Sequence, residues 1–85
     1  MLEDLLRYCE NEHDWALETT MALACLESPT EDKAAVDRCG LELMQRMSAI
    51  GGVVNRLCQP EAGDHLRAEF GTGCDQVLFI GHFDT

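Results

Sequence analysis

Basic residues are what this chain has least of. Six Lys and Arg stand against 16 Asp and Glu, for a net charge of −10. Phosphate binding needs clustered cations, so nucleic acid is excluded as a partner, and anionic membrane surfaces with it. The acids are spread along the chain and read as a solubilising charge rather than an acidic tail. Long apolar runs are also missing; none approaches the length of a membrane span. The opening "MLEDLLRYCENEHD" carries two acids at once and lacks the apolar stretch of a signal peptide, so a cytoplasmic location is expected.

Cysteine is present, but not the pairings that would give it chemistry. The five stand at 9, 25, 39, 58 and 74, an odd number at long and uneven gaps. No Cys-x-x-Cys signals a structural zinc, and without a secretory signal a disulfide framework is not expected. They read as small buried hydrophobes in a reducing compartment. At 85 residues, 46% of them hydrophobic and 26% charged, the chain suits one small soluble domain. A core of that size is marginal, because its surface is large for its volume.

The first half is helical by its periodicity. Leu2, Leu5, Leu6 and Cys9 share one face, and "ENEHD" interrupts them, offering Asn11 as cap to a second helix. That helix carries Trp15, Thr19, Ala22 and Leu26 on one face, widened by Met21 and Ala24. Pro29 disfavours helix at Ser28 and opens a loop. Thr30 is the expected N-cap of a long helix from about Glu31 to Ile50, whose buried stripe is Val36, Cys39, Leu43, Met47 and Ile50. Gly51 and Gly52 supply its stop.

The period then changes. "VVNRLC" is a strand candidate and "QPEAGD" a loop. "HLRAEF" alternates cleanly, with Leu66, Ala68 and Phe70 on one face and His65, Arg67 and Glu69 on the other. "GTGCDQ" is a connecting turn. "VLFI", residues 77–80, is continuously apolar and predicts a strand buried on both faces in mid-sheet. The expected fold class is α/β: N-terminal helices followed by three strands of a mixed sheet, with helices on one face only. Such a sheet is incomplete, so residues 77–80 should expose more apolar surface than a finished domain tolerates.

The chemistry lies just after that run, in "GHFDT". If the strand continues, His82 and Asp84 point to the same side, since side chains alternate. A histidine there can ligate a metal through one ring nitrogen while a carboxylate orients the ring through the other. The two residues alone leave a structural histidine and a metal ligand both open. Elsewhere, His65 reads as a solvent-facing strand residue and His13, beside Asp14, as a helix-start residue. Ser28 and Thr30 read as loop and cap, with no Gly-x-Ser-x-Gly elbow around them. "GTGCD" lacks the helix and Lys-Ser/Thr of a phosphate loop, and Cys74 has no cationic neighbour to activate it.

"LFIGHFDT" resembles the first metal motif of the dizinc aminoacylase and glutamate carboxypeptidase family, which includes acetylornithine deacetylase and succinyl-diaminopimelate desuccinylase. "LESPTEDKAAVDRCGLELMQRMSAIGGVVNRL" resembles that family's opening, with its Ser-Pro-Ser/Thr loop, long amphipathic helix, glycine stop and first strand. "QPEAGDHLRAEFGTGCDQVLFIGHFDT" looks closest to the glutamate carboxypeptidase-like branch. The resemblance covers roughly residues 15 to 85.

It implies that His82 is a ligand of one zinc and that Asp84 is the catalytic carboxylate that positions and polarises it. It implies two zinc ions in a complete enzyme and hydrolysis of an amide in a small peptide or acyl-amino acid. The bridging aspartate, the Glu-Glu pair, the remaining ligands and a lid or dimerisation domain would lie downstream; the parent is allowed to be a homodimer. The 85 residues would then be the N-terminal part of a catalytic domain, truncated after its first metal motif and inactive alone. The other function class is a small non-catalytic α/β interaction module that uses an exposed sheet edge.

Overall fold

The computed structural model describes residues 1–85. Three helices precede a two-stranded sheet: α1 (Leu2–Asn11), α2 (His13–Ala24), α3 (Lys33–Ala49), β1 (Val53–Leu57) and β2 (His65–Glu69). The α/β class is as expected. The third strand and the mixed sheet are not found: the sheet is purely antiparallel, pairing Val53 with Glu69 at one end and Leu57 with His65 at the other.

The helices follow the sequence with one correction in length, since α2 ends at Ala24 and leaves Leu26 outside it, and two in the capping. Asn11 ends α1 instead of capping α2, whose N-cap is Glu12 without a side-chain bond. Asp32, not Thr30, caps α3, accepting from the Ala35 N–H at 3.0 Å. A carboxylate two residues closer to the helix reaches the amide of the third helical residue, which is the geometry an N-cap needs. The glycine stop forms as expected. Gly52 N–H donates to Met47 O and Gly51 N–H to Ser48 O, with Gly51 at φ +99°, a Schellman ending only glycine enters without strain.

Packing is concentrated on α3, the only helix that touches both strands. Six residues are buried, and all belong to α3 or to the loops beside it: Ser28, Ala35, Val36, Cys39, Gly40 and Asp64. Along the expected stripe Val36 and Cys39 are buried, Leu43 and Met47 half-buried, and Ile50 exposed. On β2, Leu66 and Ala68 face inward and His65, Arg67 and Glu69 outward, as the alternation predicts, although Phe70 is exposed. Gly63 lies so close to α3 that a Cβ there would overlap Val36 Cγ1.

The rest is loosely covered. Neither α1 nor α2 buries a residue, and Trp15, Met21 and the leucines of α1 are exposed. Of the five free cysteines only Cys39 is buried, so the expectation of buried thiols holds for that one alone. The radius of gyration, 14.5 Å, exceeds the roughly 12 Å of a packed domain of this length. No helix is long and apolar enough to cross a membrane.

Residues 77–80 overturn the expectation of a doubly buried strand. They form no ladder, and Val77, Leu78, Phe79 and Ile80 are 79–89% exposed. A groove separates Leu78, Phe79 and Ile80 from Leu66, Arg67 and Ala68 of β2. A strand exists through its backbone pairing, and across that groove none is made. The exposed apolar surface expected of an incomplete sheet is present.

Candidate metal site and its supporting loop

Two polar constellations flank α3. The first is centred on Asp64, at the end of the loop that joins the strands. Lys33 Nζ donates to Asp64 Oδ1 at 2.8 Å and to Asp37 Oδ2 at 2.9 Å. Gln59 N–H also donates to Asp64 Oδ1, and Asp64 N–H to Asp37 Oδ1, both at 2.8 Å; Arg56 Nε lies 3.4 Å from Asp64 Oδ2. The hydrogen bond to Asp64, then that to Asp37, raises the Lys33 pKa. The Lys33 hydrogen bond, followed by that from Gln59 N–H, lowers that of Asp64. The Asp64 N–H, followed by Lys33, lowers that of Asp37. Every strong acceptor here already has a cation or an amide. This cluster ties the strand pair to the first turn of α3 and has no group left over for a ligand.

The second constellation holds the residues singled out from the sequence. Residues 83–85 dock against α3 and the loop before it, although residues 77–80 do not. The Phe83 ring sits over Gly40, where a Cβ would stand 3.3 Å from ring atoms Cε2 and Cζ. Ser28, 2% exposed, donates from Oγ to Phe83 O at 3.0 Å, and Thr85 N–H donates to Ser28 O at 2.7 Å. Ser28 and Thr85 hydroxyls are 3.3 Å apart. Since the one Ser28 hydroxyl proton goes to Phe83 O, Thr85 is the donor of that pair. Cys39 Sγ lies 3.9 Å from the same Phe83 carbonyl. Thr30 Oγ1 donates to Asp84 Oδ2 at 2.8 Å.

His82 and Asp84 do come together. His82 Nδ1 is 3.9 Å from Asp84 Oδ1, beyond direct hydrogen-bond reach. The His82 side chain is 87% exposed and that of Asp84 29%. An imidazole open to solvent with a carboxylate behind its Nδ1 suits a single zinc ligand and its orienting partner. No three His, Cys, Asp or Glu side chains converge on a possible metal position in the chain. His65 is exposed on β2, and His13 starts α2 with its side chain 76% exposed, each as the sequence predicts.

Ser28, Thr30 and Phe83 are the residues that sequence reading undervalued. Ser28 looked like an ordinary loop residue and is among the most buried side chains; Thr30 looked like a cap and instead holds a carboxylate 54 positions away. For Ser28 and Thr30 the one signal is the Ser-Pro-Thr sequence itself. No family model, no curated protein and no solved structure matches this chain.

Proposed function

We propose that these residues are the N-terminal portion of the catalytic domain of a zinc-dependent amide hydrolase of the glutamate carboxypeptidase-like kind. In this reading His82 holds one zinc through a ring nitrogen and Asp84 orients the ring. The observation that carries the reading is the docking of two motifs far apart in sequence: "SPT" at 28–30 and "HFDT" at 82–85, joined by four hydrogen bonds. Both belong to the resemblance, and their docking places the loop against the segment that bears the histidine.

Bound zinc supplies a water of lowered pKa and polarises the scissile carbonyl. A catalytic zinc takes three protein ligands, so the co-ligands and the general base come from outside these 85 residues. The substrate class, a peptide or acyl-amino acid with a free carboxylate, follows from the branch resemblance. Calorimetric titration with zinc chloride tests the reading. The expected result is weak binding that His82→Ala abolishes, with no hydrolysis of N-acyl amino acids. Tight stoichiometric binding, or a titration indifferent to His82→Ala, would overturn it.

The exposed apolar residues 77–80 favour a second reading, a non-catalytic interaction module. That reading requires His82→Ala to leave every binding property unchanged.

A further inference from the structure

We propose that Thr30 is a positioning residue for the His82–Asp84 pair, acting by taking one carboxylate oxygen so that the other is left to the imidazole. The inference rests on the metal reading of His82. An aspartate carboxylate turns about its last torsion in a broad, two-fold well, so its oxygens are interchangeable unless a neighbour distinguishes them. Here Thr30 Oγ1 holds Oδ2 at 2.8 Å, and the oxygen facing His82 Nδ1 is Oδ1. No other side chain bonds that carboxylate.

The backbone around Asp84 is held by the same loop. Ser28 accepts from Thr85 N–H through its own carbonyl and donates through its hydroxyl to Phe83 O, so the residues on both sides of Asp84 are tied down. Pro29, between Ser28 and Thr30, has a fixed φ and limits how far Thr30 can move relative to that anchor. Ser28 therefore places the Asp84 backbone, and Thr30 holds its side chain, both the χ1 rotamer and the rotation of the carboxylate. An Nδ1–H turned toward Oδ1 leaves Nε2 as the free lone pair for a metal.

The hydroxyl, not the shape of the side chain, does this work, so the test compares Thr30→Val, nearly isosteric, with Thr30→Ser, which keeps the oxygen. Two measurements are made on the 85-residue chain. Scalar couplings across the Asp84 χ1 bond, without metal, report whether Thr30 holds the side chain in the one rotamer from which Oδ1 faces His82. His82 ring shifts during titration with zinc chloride report affinity, and circular dichroism confirms folding of each variant. Wild type and Thr30→Ser are expected to show one Asp84 rotamer and the same zinc affinity. Thr30→Val should average the rotamers and weaken zinc by up to about tenfold, the loss expected when a metal-bound histidine's own carboxylate partner is removed.

A single Asp84 rotamer in Thr30→Val overturns the proposal, and so does rotamer averaging with unchanged zinc affinity, which would leave Thr30 a structural role only. If His82 of the wild type ignores zinc, the metal reading itself falls and the positioning role with it. That outcome is recognised in the wild type before any variant is compared.

Discussion

Asp64 and Asp84 each stand within two residues of a histidine, and each is bonded to a residue at the start of α3 or in the loop before it. They are built for different ends. Asp64 accepts from Lys33 and Gln59 N–H, faces Arg56, and is 9% exposed. Asp84 accepts one hydroxyl and turns its other oxygen toward an exposed imidazole. A carboxylate whose acceptor positions are all committed to cations and amides holds structure. One with an oxygen to spare beside a histidine has chemistry left to offer.

The contrast can be broken most forcefully on the Asp64 side. Gly63→Ala drives a methyl into Val36 Cγ1 where α3 and the strand-joining loop touch. A loss of about 3 kcal/mol is expected, the upper part of the overpacking range, read by urea unfolding. Val36→Ala, at a position 5% exposed, removes two buried methyl-sized groups and should cost about 2 kcal/mol. Should either variant unfold no more readily than wild type, α3 and its loop are not the anchor.

A smaller effect is expected from pH. Asp64 and Asp37 have pKa values below their ordinary 3.8, so the folded state binds their protons less readily than the unfolded chain does. Their contribution is present above pH 3.8 and is lost as pH falls through the lowered folded values. Lys33 is raised above 10.5; its contribution is full below that pH and is lost as pH rises through the folded value. Thermal melts should show a plateau between these limits with a decline at each end. Asp64→Asn should shrink the acid decline while Asp37 keeps part of it.

On the Asp84 side stability should barely move. Asp84→Asn is expected to change unfolding by less than about 0.5 kcal/mol, because Asn keeps an oxygen to accept from Thr30 Oγ1. The same change should weaken zinc binding about tenfold through the loss of the orienting partner. An Asp84→Asn variant that unfolds as readily as Gly63→Ala would erase the distinction. The smallest effect on folding belongs to Phe79→Ser: the side chain is 89% exposed, and a change within about 0.5 kcal/mol is expected. Sedimentation should nonetheless show less self-association, because an unpaired apolar segment is a pairing template.

What could be read in advance divides along the same line. The periodicity of α3 announced Val36 and Cys39, and the alternation in "HLRAEF" announced Leu66 and Ala68, because a side chain's face follows from its own position in a regular element. The glycine stop was legible for the same reason, since a positive φ is a local demand. Residues 77–80 show the limit of such reading. Four apolar residues predict burial, yet nothing pairs with them across the groove from β2. Apolar character states what a segment would gain from a neighbour, not that the neighbour is there.

Thr30 marks the same boundary from the other side. Its residue type suits an N-cap, and Asp32 took that role because its carboxylate reaches the Ala35 N–H. The freed hydroxyl then met Asp84 across 54 positions of sequence. The sequence by itself determined three helices, the two segments that became strands, the acidic net charge, and a His-x-Asp pair after an apolar run. Only the tertiary structure decided that Ser28 is buried, that Gly40 makes room for Phe83, and which aspartate is spent on structure. Helices, strands and stops arise from interactions a few residues apart, which a pattern can carry. The partners of a hydroxyl or carboxylate are chosen by whatever the fold brings within about 3 Å of it.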